Sequence, residues 1–164
     1  MSPKELSIGN YVLYGEGEKK HVVKIKELRE GYAVDVNGVF YPYSDLQPLM
    51  ITPEILEAND FKTPSGGPFE RKNWSKTFGE QSVTIFLHEF NDIYYCFDFW
   101  VERPWDDLTK QIKFSQTWRE FGDIVFAKKE IMNSDGGDIQ GLHVVQNAMA
   151  YAGIDYEWKM PEKN

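Results

Sequence analysis

The chain has one cysteine, three histidines and no long apolar run, and each scarcity removes a class of function. A single thiol, Cys96, closes no disulfide within the chain and builds no multi-thiolate zinc site. It lies inside Ile93-Tyr94-Tyr95-Cys96-Phe97-Asp98-Phe99-Trp100, a setting that predicts a small hydrophobe in a buried strand and not a nucleophile. No window approaches the roughly 18 consecutive apolar residues of a membrane span. The opening Met1-Ser2-Pro3-Lys4-Glu5-Leu6-Ser7 lacks the basic start and apolar core of a signal peptide, so the expected compartment is the cytoplasm. There the sequon Asn73-Trp74-Ser75 is a coincidence. Basic residues are also short: 18 Lys and Arg against 26 Asp and Glu leave a net charge of −8, the wrong sign for a protein that lives on phosphate backbones. Nucleic acid is disfavoured as a partner, though a local basic face such as Lys19-Lys20 with Lys24 and Lys26 is left open. Phosphate loops are missing too, because none of Gly9, Gly15, Gly17 or Gly31 stands between a strand and a helix in a nucleotide-binding spacing. No cofactor and no metal are expected.

What is present points to β-structure. A hydrophobic content of 41% with 15% aromatics is ample for a core, and 164 residues suffice for one domain or two small ones. Residues 11–14 read as a strand, Gly15 to Lys20 as a polar turn, and His21 to Leu28 as a second strand in which Val23 and Ile25 alternate with lysines. Glu30-Gly31 turns the chain into a strand over 32–36, with Val34 and Val36 on one face and Ala33 and Asp35 on the other. Asn37-Gly38 predicts a two-residue type I′ hairpin with positive φ at both positions, returning through Val39 to Tyr43. Ser44-Asp45-Leu46 suggests a 3₁₀ turn and 47–51 a closing strand. That order is the one SH3-like barrels use. Thr52-Pro53-Glu54 is a capped helix start, giving a short helix over 53–59, and Thr63 to Pro68 is a cluster of breakers that marks a boundary.

Beyond it, residues 82–88 and 93–101 read as a hairpin with a four-residue loop, and 123–132 as a further strand, while 105–121 fits either helix or strand. Leu142, Val145, Met149 and Ala152, followed by Gly153, define an amphipathic helix over 142–152. The expected fold is α+β: an SH3-like small β-barrel at residues 1–51, a linker helix and loop at 52–68, and a lobe at 69–164 with antiparallel strands packed on the C-terminal helix.

Few groups carry chemistry. His88-Glu89-Phe90-Asn91-Asp92 resembles a zinc-protease pattern, but that chemistry needs two ligands one helical turn apart and this segment ends a strand. Asp135 and Asp138 lack the further ligands of a calcium loop, so a turn and helix cap is the better account. His143 with Gln146 and Asn147 makes a polar patch on the last helix, with no nucleophile tied to it by spacing. Tyr11, Tyr14, Tyr32, Tyr41 and Tyr43 form the one aromatic group suited to recognition, and with Asp45 nearby they could grip an extended peptide. The competing expectation is that they cover the junction between the lobes.

Three segments, Ile8-Gly9-Asn10-Tyr11-Val12, Tyr43 to Leu49, and Ile51 to Leu56 with Asn59-Asp60-Phe61, resemble the opening of a family of small uncharacterised proteins of Bacteroides-type gut bacteria, their phages and mobile elements. The ending resembles it as well, in His143, Gln146-Asn147 and Gly153, whereas residues 62–140 match weakly. The resemblance implies a genomic setting and no catalytic residue. The expected function is a non-enzymatic protein-interaction module acting on a host or viral protein. The alternatives are a small metal-dependent hydrolase using His88, Glu89, Asp92 and His143, or an SH3-like nucleic-acid-associated protein.

Overall fold

The structure, a computed structural model, describes residues 1–63, 72–102 and 141–162. It is a mixed α+β protein whose strands pair antiparallel, with a C-terminal helix. The strands are β1 (Tyr11–Tyr14), β2 (His21–Arg29), β3 (Tyr32–Asp35), β4 (Phe40–Pro42), β5 (Leu46–Pro48), β6 (Lys72–Phe78), β7 (Gln81–Phe90) and β8 (Ile93–Glu102). The helices are α1 (Pro53–Ala58) and α2 (Leu142–Tyr151), with 3₁₀ turns at Pro3–Glu5, Gly17–Lys19 and Tyr43–Asp45. No helix among the described residues is long and apolar enough to cross a membrane. Two compact units divide the chain: Met1–Met50 with Gly141–Asn147, and the remainder from Ile51 onward with Ala148–Asn164.

In the first unit five strands form one sheet in the order β4-β3-β2-β1-β5, with β4 and β5 at its ends and no pairing that closes it. The alternation expected in β2 is realised: Val23 and Ile25 are buried while Lys26 faces solvent. A register shift between Ile25 and Glu27 bends the strand there. Leu6, Val12, Val23, Ile25, Ala33, Tyr41, Tyr43 and Leu46 form the core of this unit.

The β3–β4 connection departs from the type I′ expectation. Asp35 pairs with Val39 and also accepts from Gly38 N–H, so the loop holds three residues, Val36, Asn37 and Gly38. Only Gly38 has positive φ, at 80°. This is a type I turn closed by a glycine bulge, and the cause is the Asp35 side chain. Its carboxylate accepts from the amides of Asn37 at 2.8 Å and Val39 at 2.9 Å, gripping the turn from inside. Val36 consequently leaves the strand and is exposed. The last strand is also shorter than expected, ending at Pro48.

The second unit contains a three-stranded meander, β6-β7-β8. Sequence reasoning missed β6, because Lys76 interrupts the apolar alternation of Trp74 and Phe78. The β7–β8 loop is shorter than expected: Phe90 pairs with Ile93, leaving Asn91 and Asp92 as a two-residue turn. Both have positive φ, 52° and 61°, so the type I′ turn occurs here instead of at Asn37-Gly38. Trp74, Ile85 and Phe99 stand in cross-strand register and are all buried. A bulge at residue 97 shifts parity, which is why Cys96 and Phe99 are both buried despite their odd spacing.

Helix α1 starts as its sequence dictates: Thr52 caps it by accepting from Ile55 N–H at 3.3 Å, with Pro53 at the first helical position. It belongs to the second unit, whose core includes its Ile55 and Leu56. Helix α2 ends in a Schellman motif, with Ile154 N–H bonded to Met149 O and Gly153 N–H to Ala150 O. Gly153, at φ 80°, supplies the left-handed residue this motif requires, and Ile154 and Met149 are both buried. The expected segments at 105–121 and 123–132, the Asp135 and Asp138 loop, and all of the breaker cluster but Thr63 lie outside the described residues.

Candidate functional site

The five tyrosines of the first unit do not share one surface. Tyr41 and Tyr43 are buried in the unit's own core, 5% and 8% exposed, which removes them from any face a partner meets. Tyr43 donates its hydroxyl to Arg29 O at 2.7 Å. Tyr41 donates to Asp35 Oδ2 at 3.0 Å, completing the set of hydrogen bonds on that carboxylate. Burial pushes the Asp35 carboxyl up, but the bonds from Val39, Tyr41, Asn37 and Gly38 together hold it below the usual range. Tyr41 is pushed up to about 12, first by burial and then by the neighbouring Asp35 charge. Tyr32 is half-buried beside Phe40, with ring centroids 5.1 Å apart. Tyr11 is half-buried with the Lys24 ammonium 5.4 Å from its ring centre.

Tyr14 stands at a cleft. Its ring stands edge-on to Tyr41 at 4.8 Å and to His21 at 5.5 Å, which fixes it on one side. It also lines an open, polar cleft of about 330 Å³ together with Gly15, Glu16, Ser44, Asp45 and Gln47. The first wall comes from the end of β1 and the loop that follows; the second is the 3₁₀ turn before β5. Gln47 ties the two by donating to Gly15 O at 3.4 Å. Gly15 cannot carry a side chain here, because a Cβ would lie 2.7 Å from Lys19 O. Ser44 donates to Asp45 Oδ1 at 3.2 Å, and both acids of the cleft, Glu16 and Asp45, are solvent-facing. Tyr14 and Asp45 were legible as candidates in the sequence. Glu16, Ser44 and Gln47 were not, since nothing in their local pattern shows that two loops thirty residues apart converge.

Gln146 and Asn147 serve a different purpose from recognition. Gln146 accepts from Tyr11 N–H at 2.9 Å and donates to Gly9 O at 3.1 Å. Asn147 donates to Glu5 O at 2.9 Å and accepts from the Asn10 side chain, also at 2.9 Å. Asn10 is buried and in turn accepts from Ser7 N–H at 2.8 Å. These amides satisfy main-chain groups at Glu5, Gly9 and Tyr11 on the side away from β2, whose Ile25 bonds Gly9 N–H and Asn10 O. His143 is buried, unlike an exposed member of the polar patch expected on this helix, and burial pushes it down to about 4. An imidazole so held is uncharged at neutral pH.

The zinc-like pattern takes a geometry unlike a helical site: residues 88 and 89 belong to β7 and Asp92 to the turn after it, so no ligand pair one helical turn apart exists.

In the second unit, Asn59 anchors a network that sequence reasoning read only as a helix end. Fully buried, it donates to Ile55 O and Lys159 O, both at 2.7 Å, and accepts from Lys159 N–H at 2.8 Å and Tyr156 Oη at 3.1 Å. Lys76 donates to Asn59 O at 2.8 Å and lies 4.4 Å from the Tyr156 ring centre and 5.3 Å from that of Phe78. Phe61 and Trp158 stack beside them at 5.4 Å. Every donor and acceptor of the Asn59 side chain is occupied within the protein, which makes the network structural.

Comparison with protein-family models, with curated proteins and with solved structures finds no match.

Proposed function

We propose that the first unit is an SH3-like barrel working as a non-enzymatic protein-interaction module, and that its cleft takes a cationic side chain from an extended segment of a protein partner. The strand order β4-β3-β2-β1-β5, with a 3₁₀ turn between β4 and β5, supports the barrel reading because SH3-like barrels use that order. Fold alone is a weak warrant for function. The observation that carries the proposal is the cleft, which Tyr14 lines together with two exposed acids, Glu16 and Asp45. An aromatic face and an anion at one place suit an Arg or Lys head group, which gains from both. The overall charge of −8 favours encounter with a basic partner. The genomic setting implied by the resemblance places such a module with a phage or mobile element, acting on a host or viral protein.

Affinity capture from the native host tests this with the intact protein beside Asp45→Lys and Glu16→Lys. The reading expects a specific protein retained by the wild type and lost by both variants. Equal retention by all three, or retention of none, contradicts it.

A further inference from the structure

We propose that the start of helix α2 is a proton-operated latch: charging of His143 releases residues 141–147 from the backbone of residues 5–11 and from the end of β5.

The His143 ring is buried, 5% exposed, in the first turn of α2. Its Nδ1 has no hydrogen-bond partner. The ring lies so close to the chain before it that a Cβ on Gly141 would stand 2.7 Å from Nδ1 and 2.8 Å from Cε1. An uncharged imidazole packs against Gly141, where only a residue without a Cβ leaves it room. A charged one would be desolvated there, and its position in the first helical turn puts it at the positive end of the helix dipole. Two charged groups face it. Burial outweighs the Glu5 carboxylate, which favours the charged form, the Met1 amino group opposes that form to a smaller extent, and the group is held near 4 against its ordinary 6.5.

The segment is held down by Leu142 and Val145, both fully buried, and by a small set of polar contacts. Leu142 N–H donates to Leu49 O at 2.8 Å, and Gln146 and Asn147 make the four amide bonds to residues 5–11 already described. Water can replace each polar contact once the ring leaves, so the cost that the buried charge must exceed is exposure of Leu142 and Val145. Release would free Gly9 O, Glu5 O and Tyr11 N–H.

The direction follows from linkage. A base held below its ordinary value stabilises the closed state fully above about 6.5, and that contribution is lost as the pH falls from there toward about 4. Between pH 7 and 4.5 the released population should grow about 50-fold.

Amide hydrogen exchange of the full chain, corrected for intrinsic rates, reads this directly. The expected result is a roughly 50-fold loss of protection at residues 142–147 between pH 7 and 4.5, in excess of any loss in β2. His143→Leu and, as a second variant that keeps a polar group, His143→Gln should both flatten this dependence. In parallel, the His143 ring carbon shift should titrate near 4 in the wild type. Equal loss throughout the first unit, an unchanged dependence in a folded variant, or titration of His143 near 6.5 with the segment still protected would each overturn the proposal.

Discussion

Asn59 and Asp35 show how single polar side chains hold this protein together. Each is buried, and each has its hydrogen-bonding capacity filled by main chain and by one tyrosine hydroxyl. Leaving such partners unsatisfied costs more than the bond itself contributes, because the desolvation penalty remains. Asn59→Ala strands Lys159 N–H and Lys159 O, while Tyr156 Oη keeps Lys76 and the Asn59 main-chain carbonyl, and should lower unfolding free energy by about 3 kcal/mol in urea titration. Tyr41→Phe removes one charge-assisted bond to Asp35 and should cost about 1 to 2 kcal/mol in the same assay. Asp35 also predicts a pH dependence. Because its carboxyl sits below the ordinary 3.8, its contribution is present above that value and disappears as the pH falls through its lowered value. Thermal melts across pH 2 to 5 should therefore show a loss at the acid end that Asp35→Asn does not share.

The elements show where local signals decide structure and where they are overruled. The cap at Thr52-Pro53, the alternation in β2 and the Gly153 stop were legible because each depends on residues within one turn or one strand. Asn37-Gly38 was misread for a physical reason: the preceding Asp35 is two residues away and its carboxylate captures the loop amides, which lengthens the turn by one residue. The missed β6 depends on Lys76, a lysine whose half-buried position is explained by Asn59 and Tyr156, far from it in sequence. The β7–β8 turn offers a sharper test. Asp92 adopts φ 61° without a glycine's freedom, so Asp92→Gly should raise stability by roughly 0.5 to 1 kcal/mol, whereas Gly153→Ala should lower it by about 1 kcal/mol. Differential scanning calorimetry on the pair distinguishes the two signs.

At the scale of the whole chain, the candidate site was half legible. Tyr14 and Asp45 were identified as aromatic and acidic groups in a β-rich opening, but their meeting depends on the loop after β1 reaching the 3₁₀ turn before β5. Gln146 and Asn147 drew attention for the right reason, an unusual polar pair on an apolar helix, and turn out to bond backbone instead of ligand. The acid surplus of the molecule and the acids of the cleft point to the same kind of partner. Binding should therefore weaken with salt, as attraction between exposed charges is screened.

The most direct test is a chemical-shift titration of the isotope-labelled full chain with three extended decapeptides that differ only in carrying Arg, Gln or Glu at one central position. Shifts confined to Tyr14, Gly15, Glu16, Ser44, Asp45 and Gln47, strongest for Arg and at least tenfold weaker in affinity for Asp45→Asn, are the predicted result. No response, equal response to the three peptides, or shifts centred on Lys19, Lys20, Lys24 and Lys26 would contradict it.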